Sequence, residues 1–405
     1  MARQAPHPPA AGPHTVRVLR LLAANRLLPK EGWGLSRELC AAAVPFVKAL
    51  LWYTYCPAAV TNILGGTTKR PLSVELVGDF TNYPHPLPLP ESLVRLVLSD
   101  FTGSLAPLPP SLRCLHLSIH LDDGEDIINS GVQAFLGHAV ALIRSAPQLE
   151  ELYLFGPFAD EGEVATLRLC CGSATQIPLA LKTIKLENWD LESWESIQLL
   201  LSPEVAILRF ENCHFKFSDA ATRESITMFP LPEQLVTLEL DGCGRSVSQL
   251  IFHELPATLR GIFILSSAIK AIFTQGLPAG LVSFALGSLD HEFGISAHML
   301  PQNLEELWVG GRCEPLETLP PRLRVLKMTS YEHELPQLPD TLETLELHDC
   351  DHDVVQLPER LRSLSLSCFR VNTPPLLPTG WPPLLEHLSY WTDITIHCLS
   401  FRGCL

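Results

Sequence analysis

His348, Asp349, Cys350, Asp351, His352 and Asp353 stand in a row, and nineteen residues before His352 lies His333, between Glu332 and Glu334. Imidazoles and carboxylates are ligands for divalent metals, so two such loops brought side by side could hold an ion. The competing reading of residues 332–353 is a solvated acidic turn, which is the one expected here. Twelve cysteines raise a second possibility, but no C-x-x-C occurs and Cys170 and Cys171 are simply adjacent, so no structural zinc site is expected. The sequence also lacks a phosphate-binding glycine loop, G-x-G-x-x-G, H-E-x-x-H and G-x-S-x-G. It reads as a non-enzyme with no cofactor, metal or catalytic residue to assign.

The elements that must position these residues are repeats. The string L-P-x-x-L-x-x-L-x-L appears as LPESLVRLVL (89–98), LPEQLVTLEL (231–240), LPPRLRVLKM (319–328), LPDTLETLEL (338–347) and LPERLRSLSL (357–366). Thirteen copies are found, counting variants such as IPLALKTIKL (177–186) and PPLLEHLSY (382–390). Anchored on the first apolar residue of each core, they run from Leu93 to Leu385 at spacings of 19 to 37 residues, the period of a leucine-rich repeat. The alternating L-x-L turns two leucines inward on a short strand and leaves the residue between them on the concave face. One repeat cannot bury its inner face alone, whereas a stack can. The repeat also explains why 35 prolines outnumber 24 glycines: each proline precedes the strand, where its missing N–H costs little.

Three features follow from this frame. The longest gap holds Ile127, Ile128, Val132, Phe135, Leu136, Ala139, Leu142 and Ile143 at helical spacing, which predicts a convex-side helix over 122–145. The 19-residue copies between 319 and 375 are too short for such a helix, so their backs are expected to be extended or a single turn. Cys213, Cys243 and Cys350 each fall three residues after the last core position, where a buried reduced thiol fits beside the turn.

The residue between the last two core positions forms a column: Val97, His116, Tyr153, Lys185, Arg209, Glu239, Phe263, Ala285, Trp308, Lys327, Glu346, Ser365 and Ser389. Aromatic and arginine side chains typically anchor interfaces, which makes Tyr153, Lys185, Arg209, Phe263 and Trp308 the candidate partner-binding residues. The residue after each anchor alternates in sign in the last copies, as Glu305, Arg324, Glu343, Arg362 and Glu386. That ladder is expected to set repeat register.

Hydrophobic residues make up 46% of the 405 residues and charged residues 18%, enough apolar side chain for a core. The net charge of −15 argues against a nucleic-acid backbone as the main partner. Residues 1–68 carry a net +5 and the remainder −20, which suggests a boundary near 68. The expected organisation is a disordered Pro/Ala-rich tail over 1–14, a helical N-terminal cap over 15–68 and a solenoid over 69–405. Within the cap a helix is predicted from Ser36 to about Tyr55, kinked at Pro45 and too short and too charged to span a membrane. The first 30 residues lack Asp and Glu, the composition of an organelle transit peptide. A cytoplasmic location is expected, with a mitochondrial one as the alternative.

The string resembles the FNIP-type leucine-rich repeats of amoebal and related eukaryotic proteins. Phe80-Thr81-Asn82 and Phe101-Thr102 sit roughly where that family carries its Phe-Asn pair. The 19-residue copies are also similar to the proline-started repeats of secreted bacterial effectors. The resemblance implies an α/β repeat solenoid, an arc with short parallel strands on its concave face, used for protein recognition and not for a reaction. The expected function is therefore a protein-interaction scaffold binding a protein partner on that face, with no nucleic acid or membrane as partner. One alternative is a ubiquitin-ligase substrate adaptor that docks ligase core components through F-box-like helices within 15–56, although no F-box string is found there. Another, less favoured, is a metal-binding protein or enzyme using the loops at 332–353.

Overall fold

The computed structural model describes residues 49–53, 73–79, 91–102, 107–119, 125–157, 180–191, 200–215, 225–228, 230–243, 249–265, 270–287, 297–311, 314–350, 356–368, 381–392 and 395–400, with a few single positions between them. The chain divides into two compact units, residues 1–184 and 185–405.

In the first unit β1 (Ala49–Tyr53), β2 (Ser73–Asp79), β3 (Arg95–Thr102), β4 (Cys114–Ser118) and β5 (Glu151–Phe155) pair in chain order, every pair parallel. The predicted helix is present as α1 (Glu125–Ser145), between β4 and β5. It buries Val132, Leu136, Ala139 and Ile143, a stripe at helical spacing. Val74 and Leu76 of β2 are fully buried and β2 pairs with β3, so the stack already includes this strand ahead of the Leu93 copy.

Residues 49–53 correct the predicted helix over Ser36–Tyr55. Leu50, Leu51, Trp52 and Tyr53 align with Val74, Glu75, Leu76 and Val77 as a parallel strand. Aromatic side chains suit a pleated surface, and the pairing covers an edge of β2 that would otherwise be open. The rest of the expected cap, with the kink at Pro45, lies outside the described residues.

The boundary between the units falls inside β6 (Thr183–Glu187). The second unit continues with β7 (Asp190–Leu191), β8 (Ile207–Glu211), β9 (His214–Phe215), β10 (Ser225–Thr227), β11 (Thr237–Asp241), β12 (Gln249–Phe252), β13 (Gly261–Leu265), β14 (Lys270–Phe273), β15 (Ser283–Gly287) and β16 (Glu306–Gly310). It ends with β17 (Val325–Thr329), β18 (Thr344–His348), β19 (Ser363–Cys368), β20 (His387–Thr392) and β21 (Thr395–Ser400). Its main sheet runs β8-β11-β13-β15-β16-β17-β18-β19-β20 in parallel, and β21 closes it antiparallel to β20. Two small parallel sheets, β10-β12-β14 and β7-β9, form from segments between these strands. Phe252 and Phe273 stack there at 5.2 Å. The described back segments of the 19-residue copies, 331–339 and 356–358, contain no helix.

The repeat letters have distinct jobs in each turn. Anchors from Leu93 to Leu361 are no more than 1% exposed. The proline carbonyl accepts the N–H of the anchor three residues on, as in Leu235 to Pro232 at 3.0 Å and Leu342 to Pro339 at 3.0 Å, so the proline opens a tight turn as well as preceding the strand. After the strand the chain turns through a left-handed residue, at Asn188, Asn212, Gly242, Ser330 and Asp349. The N–H of Asn212 then reaches Asp241 O at 2.7 Å, and that of Ser330 reaches His348 O at 2.7 Å, linking each turn to the next. The following side chain is buried, as Trp189, Cys213, Cys243, Tyr331 or Cys350.

The three cysteines sit where the frame put them. Their thiols donate to a carbonyl of the preceding turn, Cys213 to Leu186 at 3.4 Å, Cys243 to Phe210 at 3.4 Å and Cys350 to Met328 at 3.7 Å. Burial pushes the Cys213 thiol up to about 12 and raises Cys243 well above its ordinary value. Such thiols are protonated at neutral pH and inert, which is structural chemistry and not nucleophilic chemistry.

Candidate interaction surface

Strand register brings the candidate column together. Arg209, Glu239, Phe263, Ala285, Trp308, Lys327, Glu346, Ser365 and Ser389 are successive partners across the second unit's sheet. Their inward neighbours, such as Leu208, Leu238 and Leu345, are fully buried. The period of two therefore separates core from surface along each strand.

Trp308 is 37% exposed, high for so large an apolar side chain on a sheet. Phe263 is half-buried, and its ring leans over Gly261, where an added Cβ would meet Cε2 at 2.8 Å. Between the two, Ala285 is only 2% exposed. Phe263, Ala285 and Trp308 thus make one apolar patch, bordered by the small residues Gly261, Gly287 and Gly310.

Lys185 and Arg209 lie beside this patch in a shallow depression shared with Glu211, Glu239, Asp241 and Phe263. Both cations are already held. The Lys185 ammonium meets Glu187 at 2.8 Å and Glu211 at 2.5 Å, and Arg209 meets Glu239 at 2.5 Å. Burial alone would lower the Lys185 pKa, but the bonds to Glu187 and Glu211 outweigh it and raise the value. Further along, Lys327 meets Glu346 at 3.0 Å. The sequence column missed Glu187, Glu211 and Asp241, which stand two residues further along their strands on the same face; the period of two was the available signal.

Tyr153 lies in the first unit, stacked on His116 at 4.0 Å in the same column.

The described residues of this stretch, 332–350, are engaged in the turns. His348 Nδ1 lies 2.8 Å from Ser367 Oγ, Ser330 Oγ donates to Asp349 at 3.1 Å, and His333 packs against the Tyr331 ring at 5.5 Å. Among the described residues no three His, Cys, Asp or Glu side chains converge as a metal site would require. Asp351, His352 and Asp353 lie outside the described residues.

The sequence reading did not anticipate a buried polar pair. His214 Nδ1 lies 3.0 Å from Asp190 Oδ1, with both residues at most 5% exposed. It joins β7 and β9 and is sealed from solvent, so it braces that small sheet.

Stacked parallel strands, buried leucine anchors and a shared turn define a parallel β-solenoid with leucine-rich-repeat-like turns. No family model and no curated protein sequence matches the chain. A solved structure, CroV588, described as a novel circular LRR protein, is 20% identical, with a TM-score of 0.38 over 78% of this chain and 52% of that one. The chain spans about half the length of that protein.

Proposed function

We propose that this protein is a non-enzymatic interaction scaffold whose protein partner docks on the outward face of the second unit's sheet, around Trp308 and Phe263. The observation that carries this reading is an exposed tryptophan on a rigid strand, joined through Ala285 to a second aromatic, where a flat sheet would otherwise present polar residues. Lys185 and Arg209 frame the patch, held in place by carboxylates. A reducing compartment such as the cytoplasm suits the buried Cys114, Cys213, Cys243 and Cys350, none of which is in a disulfide.

The test compares the proteins retained by wild type and by Trp308→Ala at matched thermal stability. A partner bound directly should lose about 2 kcal/mol or more of affinity while the melting temperature stays nearly constant. A lowered melting temperature with unchanged affinity would make Trp308 a packing residue and remove the site. The adaptor reading depends on residues 15–56 and is separated by asking whether ligase core components are retained by the full chain.

A further inference from the structure

From the charges around the aromatic patch we infer that the segment docking there is basic, extended, and carries an apolar side chain between its cations. This deepens the interface reading above and rests on it. On the described outward positions of the second unit's sheet every lysine and arginine is spent on a carboxylate of the same sheet: Lys185 on Glu187 and Glu211, Arg209 on Glu239, Lys327 on Glu346. Two exposed carboxylates form no ion pair among the described residues, Asp241 and Glu306, and the latter accepts only the Ser283 hydroxyl at 2.8 Å.

These two stand at opposite corners of the apolar patch. Asp241 aligns with Leu265, two residues beyond Phe263 on the neighbouring strand. Glu306 precedes Trp308 by two residues on the same strand and points to the same face. Three strand steps of ~4.8 Å and four residues of ~3.3 Å separate the two corners, a diagonal of ~20 Å. An extended segment of about six residues spans that distance. Its central apolar side chain would lie on Trp308 and Phe263, with a lysine or arginine toward each end.

A partner bearing acids there would meet Asp241, Glu306, Glu211 and Glu239, while Arg260, exposed at the edge of the patch, holds the Gly280 carbonyl at 2.8 Å. Like charges brought together across an interface act against binding, whereas complementary ones speed association and fix register. Lys185 and Arg209, the sequence's candidates for attracting a partner, hold the sheet's own acids instead.

A displayed library of random-sequence peptides, selected on the purified full chain, tests this without knowing the natural partner. The expected result is enrichment of net-positive sequences with a central aromatic or aliphatic residue. Titrated as labelled synthetic peptides, they should bind more than about 10-fold weaker to Trp308→Ala and about 3- to 10-fold weaker to Glu306→Gln or Asp241→Asn, with the carboxylate effects shrinking at high salt. Enrichment of acidic or neutral peptides, or positive peptides indifferent to both carboxylate variants but lost with Trp308→Ala, overturns the charge inference and leaves the interface standing. Peptides indifferent to Trp308→Ala, or no enrichment over an unrelated solenoid, overturn the interface reading itself.

Discussion

Arg324 holds Glu343 of the next turn through two parallel hydrogen bonds, Nε to Oε1 and Nη2 to Oε2, each 3.1 Å long. The ladder continues on either side, with Glu305 3.8 Å from Arg324 and Arg362 2.9 Å from Glu386. The first unit repeats the alternation, where Glu150 meets Arg113 at 3.5 Å and Lys182 at 3.0 Å. Arg324→Glu should destabilise the fold slightly, more at low salt, and Arg324→Ala with Glu343→Ala should cost less than the two single alanine substitutions added together. That shortfall is the informative outcome, since it ties the effect to the pair and not to either side chain.

The same pair has a pH signature. The hydrogen bonds from Arg324 hold the Glu343 carboxyl below its ordinary range. Its contribution is therefore fully present above the unfolded value of about 4.3 and is lost as pH falls through the lowered folded value. Wild type and Glu343→Gln should differ in melting temperature at pH 7 and converge in acid.

Much of this fold could be read from the letters, because L-x-x-L-x-L alone states which side chains face inward. Anchors, outward column, ladder and cysteine positions all follow from that alternation. The left-handed turn residue escaped because Asn, Gly, Ser and Asp share a tolerance for positive φ but no common side chain. The neutralisation of Lys185 and Arg209 escaped because it depends on how far side chains reach along and across strands, Lys185 to Glu187 two residues on and to Glu211 one repeat on, and Arg209 to Glu239. Strand β1 was misread because Leu50, Leu51, Trp52 and Tyr53 suit either element locally, and pairing with β2 decides.

The left-handed turns invite a backbone test. Gly242 has φ of +61°, and an added Cβ there would press on the Asn212 side chain of the neighbouring turn. Gly242→Ala should cost about 1–2 kcal/mol, measurable by urea denaturation. Asn212→Gly, at φ of +50°, should be tolerated far better. Equal losses at both positions would mean that side-chain packing, and not backbone geometry, governs the turn.

The buried thiols make alkaline pH a selective stress. A group whose folded pKa is raised lends stability that is fully present below the unfolded thiol value of about 8.5 and is lost as pH climbs toward the folded value. With Cys213 pushed up to about 12 and Cys243 raised, the melting temperature should fall between pH 8 and 10. Cys213→Ser, which has no thiol to ionise, should flatten part of that decline. Alkylation of Cys213 in native protein should be as slow as global unfolding, read by mass spectrometry after brief labelling.

Two neighbours on β18 offer the sharpest test of the frame. Leu345 is fully buried, while Glu346 sits beside it on the outward face and meets Lys327 at 3.0 Å. Leu345→Ala removes apolar atoms from between Leu326 and Leu364 of the adjacent strands and leaves a cavity that stacked turns cannot easily close. Its cost should be roughly 2–5 kcal/mol. Glu346→Ala removes a partly exposed ion pair and should cost under about 1 kcal/mol. A solenoid is held by nearest-neighbour interfaces, so the Leu345 variant weakens two of them at once, and local unfolding by hydrogen exchange should rise most in β17, β18 and β19. Equal costs for the two substitutions, or uniform exchange along the unit, would show that the inward and outward faces of the strand have been assigned wrongly.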